Sequence, residues 1–159
     1  MGRDVALAHQ DPLATVTCLA LQLGLLLGSV PNQVTYFNMF AGRDPAFVAS
    51  NADFDWGQDV LALERFVAGR RIPELYVQIN GTVNLCRHVL PPLKALPLHA
   101  VRGWVAVSER IYRLNRGRIR REACGLPNTL TAPEGWLDWL KTHEPVAIVG
   151  KTIRMYHID

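Results

Sequence analysis

The stretch "AFVASNADFDWGQDVLALERFVAGRRIPELYVQI", Ala46 to Ile79, decides the fold. Ala46–Ser50 reads as a short buried strand. Trp56, Val60, Leu63 and Val67 then recur at helical spacing, and Gly69 suits the position just past a helix end. "ELYVQI", Glu74–Ile79, is a second strand, closed by the turn pair Asn80-Gly81. Strand, helix and strand within about 35 residues predict a βαβ unit with parallel strands and a right-handed crossover.

Working toward the C-terminus, "PPLKALPLHA" (Pro91–Ala100) holds too many prolines for a long helix and is expected to wrap the surface. "GWVAVS" (Gly103–Ser108) is a third strand, and an arginine-rich, turn-prone stretch follows up to Pro133. "PEGWLDWLKTHEP" predicts a short helix with Trp136, Leu137 and Leu140 facing inward, stopped before Pro145. "VAIV" and "TIRMYHI" flank Gly150-Lys151, the sequence form of a hairpin with a Gly-first, two-residue loop. The expected fold class over residues 46–159 is α/β: a small, mainly parallel sheet with flanking helices and a C-terminal β-hairpin.

Toward the N-terminus, Pro12 to Gly42 contains no Asp, Glu, Lys or Arg. As a helix, "LATVTCLALQLGLLLGSV" (Leu13–Val30) would span roughly 27 Å against a hydrocarbon core of about 30 Å. Asp11-Pro12 supplies a start and Gly28, Ser29 and Pro31 a stop. "MGRDVALAHQD" carries one arginine and two acids, a poor basic n-region for a signal peptide. The reading is a single transmembrane helix over 12–31. A flank at 1–11 precedes it, and an aromatic-rich interfacial connector at 32–45 follows. The implied location is a single-pass cell-membrane protein. Arg3 and Arg43 balance across the helix, so flanking charge leaves its orientation open.

The 159 residues leave room for one domain with a real core, and a net charge of +3 does not by itself argue for a polyanionic partner. Of the three cysteines, Cys18 lies in the apolar run, so at most Cys86 and Cys124 could pair, and only in an oxidising compartment; cysteine usage alone decides nothing.

"SNADFDWGQD" sits where the first strand gives way to the first helix, the place where open α/β sheets bind ligands. Asp53 and Asp55 could direct two carboxylates at one hard cation, Mg²⁺ or Mn²⁺, with Asp59 as a third acid. The structural reading of the same residues is a capping box, Asp55 as N-cap with Gln58 at N3, and Asp59 favouring the helix dipole. "GKT" at Gly150–Thr152 is not a phosphate-binding loop: Pro145 stands where that loop needs glycine, and a strand follows. "CRH" at Cys86–His88 lacks a third, orienting group and reads as surface.

"RIYRLNRGRIRR" packs six arginines into Arg110–Arg121. Arg116, Arg118, Arg120 and Arg121 are candidates for lipid phosphate, in a polyprenyl-phosphate or an anionic lipid. A solvated face is the plain alternative. Nucleic acid ranks below lipid phosphate if the apolar helix lies in a membrane.

Here the chain resembles a known family. "YFNMFAG", "SNADFDWGQDV", "AVS" and "WLKTHEPVAIVGKTIRMYHI" resemble the C-terminal part of bacterial multi-pass membrane glycosyltransferases of the lipid-carrier-dependent, protein-mannosyltransferase-like type. The resemblance places Ser50, Asn51, Asp55, Trp56, Gly57, Gln58 and Asp59 on that family's DWGQD block, and Pro145, Gly150, Thr152, Ile153 and Tyr156 on its closing pattern. Asp53, within Ala52-Asp53-Phe54, has no family counterpart, and "NGT" at Asn80–Thr82 stands where an aromatic-Gly-Thr is commoner. The early loop that carries the catalytic carboxylate in such enzymes has no match in these residues.

The resemblance therefore implies an extracytoplasmic accessory or tail domain, partnered with a multi-pass transferase that uses polyprenyl-phosphate-linked sugars. Asn51, Asp55, Trp56 and Gln58 are its candidate substrate-binding residues. The alternatives are an independent enzyme holding a metal at Asp53 and Asp55, and a basic nucleic-acid-binding module.

Overall fold

A computed structural model describes residues 11–28, 57–124 and 128–159. The chain divides into two units, Met1–Tyr36 and Phe37–Asp159.

The first unit contains helix α1, Pro12–Gly28, of 17 residues. It starts as the sequence leads one to expect. Pro12 takes the first helical position, and Leu13 N–H donates to Asp11 Oδ1 at 3.0 Å. The Thr15 and Thr17 hydroxyls bond back to Asp11 O and Leu13 O, so the few polar groups are satisfied within the helix. None of its side chains is buried. At 1.5 Å per residue α1 spans about 25 Å, short of a hydrocarbon core of about 30 Å. No helix among the described residues is long and apolar enough to cross a membrane. This overturns the transmembrane helix expected over 12–31, and with it the single-pass membrane location. Residues 29–31 and the connector expected at 32–45 lie outside the described residues.

In the second unit, α2 runs from Val60 to Arg70 and buries Val60, Leu63 and Val67, the expected face. Its end differs from expectation. Gly69 stays helical and Arg71 takes the left-handed position (φ 51°), where its N–H and that of Ile72 close onto Ala68 O and Val67 O.

The sheet strands are β1 (Leu75–Gln78), β2 (Leu93–Ala95) and β3 (Gly103–Ser108). Helix α3 (Glu109–Leu114) follows β3, and β4 (Gly117–Arg120) pairs with β5 (Thr129–Ala132) as a separate hairpin. A one-turn helix α4 (Asp138–Lys141) leads to β6 (Ala147–Val149) and β7 (Ile153–Ile158).

The main sheet has the order β2-β1-β3-β7-β6. β1 pairs parallel with β2 and β3, whereas β7 pairs antiparallel with both β3 and β6. The sheet is therefore mixed, not mainly parallel as expected. The physical reason is the terminal hairpin: β7 inserts between β3 and β6, so the hairpin brings two antiparallel pairings. The strand expected at 46–50 lies outside the described residues. The proline-rich segment, expected to form no long helix and to wrap the surface, supplies β2.

Alternation along the central strands separates two apolar layers. Ala106, Ile153 and Met155 pack with α2 on one face. Val105, Val107, Tyr156 and Ile158 pack on the other with Trp136, Leu137 and Leu140, the three residues expected to face inward. Ile119 and Ala132 join that second layer, so the β4–β5 hairpin shares it. With both faces covered, the central strands read as near-continuous apolar runs.

Candidate functional site at the carboxyl edge of the sheet

Parallel strands β1 and β3 end at Gln78 and Ser108, and the chemistry-bearing side chains gather just beyond them. Asp59, 2 % exposed, precedes α2 without capping it through its side chain. Its Oδ2 instead accepts from Lys151 N (2.7 Å), Thr152 N (3.0 Å) and Thr152 Oγ1 (2.9 Å). The hairpin loop thus presents successive donors to a buried carboxylate of the same chain. Gly150 permits this approach. Its φ is 62°, and any Cβ there would collide with the Asp59 carboxylate. The loop has three residues rather than two, since Val149 pairs directly with Ile153.

From this latch the contacts run on to the start of α3. Thr152 O accepts from Glu109 N at 2.6 Å. Glu109 is buried and grips Arg154 in a two-pronged pair, Nε to Oε2 at 2.5 Å and Nη2 to Oε1 at 2.9 Å. Arg113 Nε adds a bond to Oε1 at 2.6 Å. The Arg154 guanidinium also lies 4.2 Å over the Tyr112 ring. Burial works against its charge, but the hydrogen bonds and attraction of Glu109 outweigh that and hold it above the ordinary arginine value. Tyr156 is pushed up chiefly by its own burial. Its hydroxyl has Arg154 and Tyr112 as polar neighbours, with geometry too poor for a hydrogen bond.

In register with Arg154 across β3, Gln78 is wholly buried and behaves as an extra length of backbone. Its Nε2 donates to Arg120 O at 2.6 Å and its Oε1 accepts from Arg120 N at 3.1 Å, docking β4 onto β1. Arg120 is itself buried. Its Nη2 donates to Gly81 O (2.6 Å) and Val83 O (2.8 Å), and burial lowers its pKa. No carboxylate among the described residues lies at ion-pair distance from it, and an unpaired buried ion carries a penalty of several kcal/mol that two carbonyls offset only in part. The Cys86–Cys124 disulfide (Cα–Cα 5.3 Å) ties the segment after Val83 to the segment after Arg120. Asn80 completes the edge: its N–H donates to Ser108 Oγ, and its Oδ1 accepts from Arg110 Nη1, both at 3.1 Å. Gly57 (φ 83°) closes over the same turn, where an added Cβ would press on Val83.

Among the expected site residues, Asn51, Asp53, Asp55 and Trp56 lie outside the described residues; so do the metal proposed at Asp53 and Asp55 and half of the capping box. That box does not start α2 in any case, since Asp59 is the residue before Val60. Gln58 is half-buried, next to Asp59. No group of three or more His, Cys, Asp or Glu able to hold a metal occurs among the described residues.

The arginine run does not form one face. Arg116 is exposed and 3.8 Å from Glu134, Arg118 is exposed and bonds Thr129 Oγ1, and Arg121 is exposed, whereas Arg120 points inward. "CRH" is accounted for by structure: Cys86 is in the disulfide, and His88 Nδ1 lies 2.8 Å from Glu64. Sequence reasoning missed Gln78, Glu109 and Arg154. The available signal was a polar side chain inside each apolar run, "YVQI", "AVSE" and "TIRMY".

Comparison with known proteins finds no matching family model, no matching curated protein and no matching solved structure.

Proposed function

We propose that this chain is an accessory domain, not itself a transferase, serving a lipid-carrier-dependent glycosyltransferase that uses polyprenyl-phosphate-linked sugars. The reading rests on the sequence resemblance, and one observation supports it. The two most specific blocks, "DWGQD" and the closing P-x-x-x-x-G-x-T-I pattern, meet through Asp59, Lys151 and Thr152. Residues that the resemblance pairs in sequence are thus paired in space, as parts of one scaffold. The Cys86–Cys124 disulfide fits folding in an oxidising compartment. Asp59, with its Oδ2 committed to the hairpin, is disfavoured as a metal ligand.

The test is reconstitution with a multi-pass glycosyltransferase of the resembled type, following sugar transfer from a polyprenyl-phosphate donor. The chain should co-purify with the transferase and raise transfer, and it should transfer nothing alone. Transfer by the isolated chain, or a transferase indifferent to its presence, would sink the reading.

A further inference from the structure

The turn beyond β1 holds two guanidinium groups that have no carboxylate at ion-pair distance among the described residues. We propose that the Asn80–Val83 turn, flanked by Arg110 and Arg120, is a binding site for a phosphoryl group.

Different elements deliver the two cations to one place. Arg110 comes from α3 and reaches Asn80 Oδ1, and Arg120 ends β4 and reaches Gly81 O and Val83 O. Both acceptor sets are neutral. Several cations of this unit do find acids: Arg113 and Arg154 share Glu109, Lys94 faces Glu74, Lys141 faces Asp138, and Arg116 approaches Glu134. Neither Arg110 nor Arg120 has a carboxylate at ion-pair distance among the described residues. Donors are left over as well. Arg110 Nε is buried with no acceptor. Among the described residues, Arg120 engages protein acceptors through Nη2 alone of its side-chain nitrogens.

A phosphoryl group answers this arrangement: two planar, permanently charged forks match its oxygens better than point charges would. The location agrees, since ligands of open α/β sheets bind beyond the carboxyl ends of parallel strands. The surroundings are also pre-set. The Gln78 amide fixes the Arg120 backbone, and the disulfide ties the two approaching segments together. Preorganisation of this kind makes binding less costly. The group could be carried by a lipid or by a soluble molecule, and its chemistry at the site is the same. The choice of lipid as one source rests on the accessory-domain reading; the site itself does not.

The experiment titrates the purified full chain, under oxidising conditions, with inorganic phosphate against chloride at matched ionic strength. The readouts are amide and arginine side-chain NMR shifts. Saturable shifts confined to Asn80–Val83, Arg110 and Arg120 are expected, weakened about tenfold or more by Arg110→Gln, the loss of a charge-assisted bond. Arg118→Gln, at an exposed position of the same run, should leave the affinity unchanged. Arg120→Lys serves as a second variant that keeps the charge but not the fork, and it should also weaken binding.

A parallel arm uses phosphatidylcholine vesicles with and without phosphatidic acid. Binding that needs phosphatidic acid and Arg110 marks a lipid-borne source, and binding of free phosphate alone marks a soluble one. Absence of saturable phosphate binding would overturn the site. So would binding that falls equally with Arg118→Gln, or that ignores Arg110→Gln. The titration uses the isolated chain, so it can fail while co-purification with a transferase succeeds, and the reverse.

Discussion

Thr152 donates both its N–H and its hydroxyl to a single oxygen of Asp59, at 3.0 and 2.9 Å, across 93 positions of sequence. The contact joins the start of α2 to the terminal hairpin, and it is buried on both sides. Asp59→Ala would leave the Lys151 and Thr152 donors without their acceptor. Hydrogen bonds to a charged group contribute more than neutral ones, and stranded donors carry a desolvation penalty. A loss of about 3 kcal/mol is expected, read as a shift of the urea midpoint. Asp59→Asn keeps an acceptor oxygen in place and should lose less. Equal stability of wild type and Asp59→Ala would show that the latch contributes nothing.

Gly150→Ala tests the other half of the latch. Alanine must adopt a φ of 62° and place its Cβ on the Asp59 carboxylate, so strain and collision act together. The loss should exceed about 1 kcal/mol in wild type. It should be smaller in the Asp59→Ala background, because the collision partner is then gone. Strict additivity of the two substitutions in thermal or chemical unfolding would contradict the contact.

Buried Glu109 and half-buried Arg154 form the second junction, and losing the guanidinium alone should do more harm than losing both charges. Arg154→Met leaves Glu109, with only 6 % of its side chain exposed, supported by Arg113 alone, and about 3 kcal/mol should be lost. Arg154→Met combined with Glu109→Gln also removes the carboxylate that the first change leaves less well paired, and should recover part of that loss. A double variant as unstable as the sum of the singles would refute the pair.

The parts legible in the sequence were those carried by apolar periodicity. β3 at Gly103–Ser108, the inward set Trp136, Leu137 and Leu140, and the Val60–Leu63–Val67 face of α2 all follow from spacing. What was not legible depended on long-range pairing. Nothing local tells β7 to insert beside β3, so the sheet's mixed character stayed hidden. The hairpin of Gly117–Arg120 with Thr129–Ala132 was masked by arginines, one of which points inward only because Gln78 and two carbonyls receive it. For α1, composition indicated apolarity on every side, but the described helix ends at Gly28. At the site, Asp59 was recognisable as part of a helix start. Its partner, 93 residues away, was not.

The disulfide offers a stability test tied to compartment. Cys86 and Cys124 close a loop with a sequence separation of 38, which in the chain-entropy account stabilises the fold by about 2–4 kcal/mol. Cys86→Ser with Cys124→Ser, or reductant added to wild type, should lower the melting temperature by comparable amounts. Reductant should have no further effect on the double variant. A melting temperature insensitive to reductant would argue against a contribution from this bond.

Acid should weaken the segment before β6 through Asp138. The Lys141 ammonium, followed by the Asn115 side-chain amide at 2.7 Å, holds the Asp138 carboxyl below its ordinary value. A carboxyl depressed in the folded state contributes stability that is fully present above its unfolded pKa, about 4. That contribution disappears as pH falls through the lower, folded value. Asn115 holds a left-handed position (φ 50°), and its Oδ1 also accepts from Leu137 N, so the charge is linked to the placement of buried Leu137. Asp138→Asn should therefore flatten the decline in stability on the acid side and leave the neutral-to-alkaline side parallel to wild type. Urea midpoints measured across the acid range check this. An acid decline of identical steepness in the variant would remove Asp138 from the account.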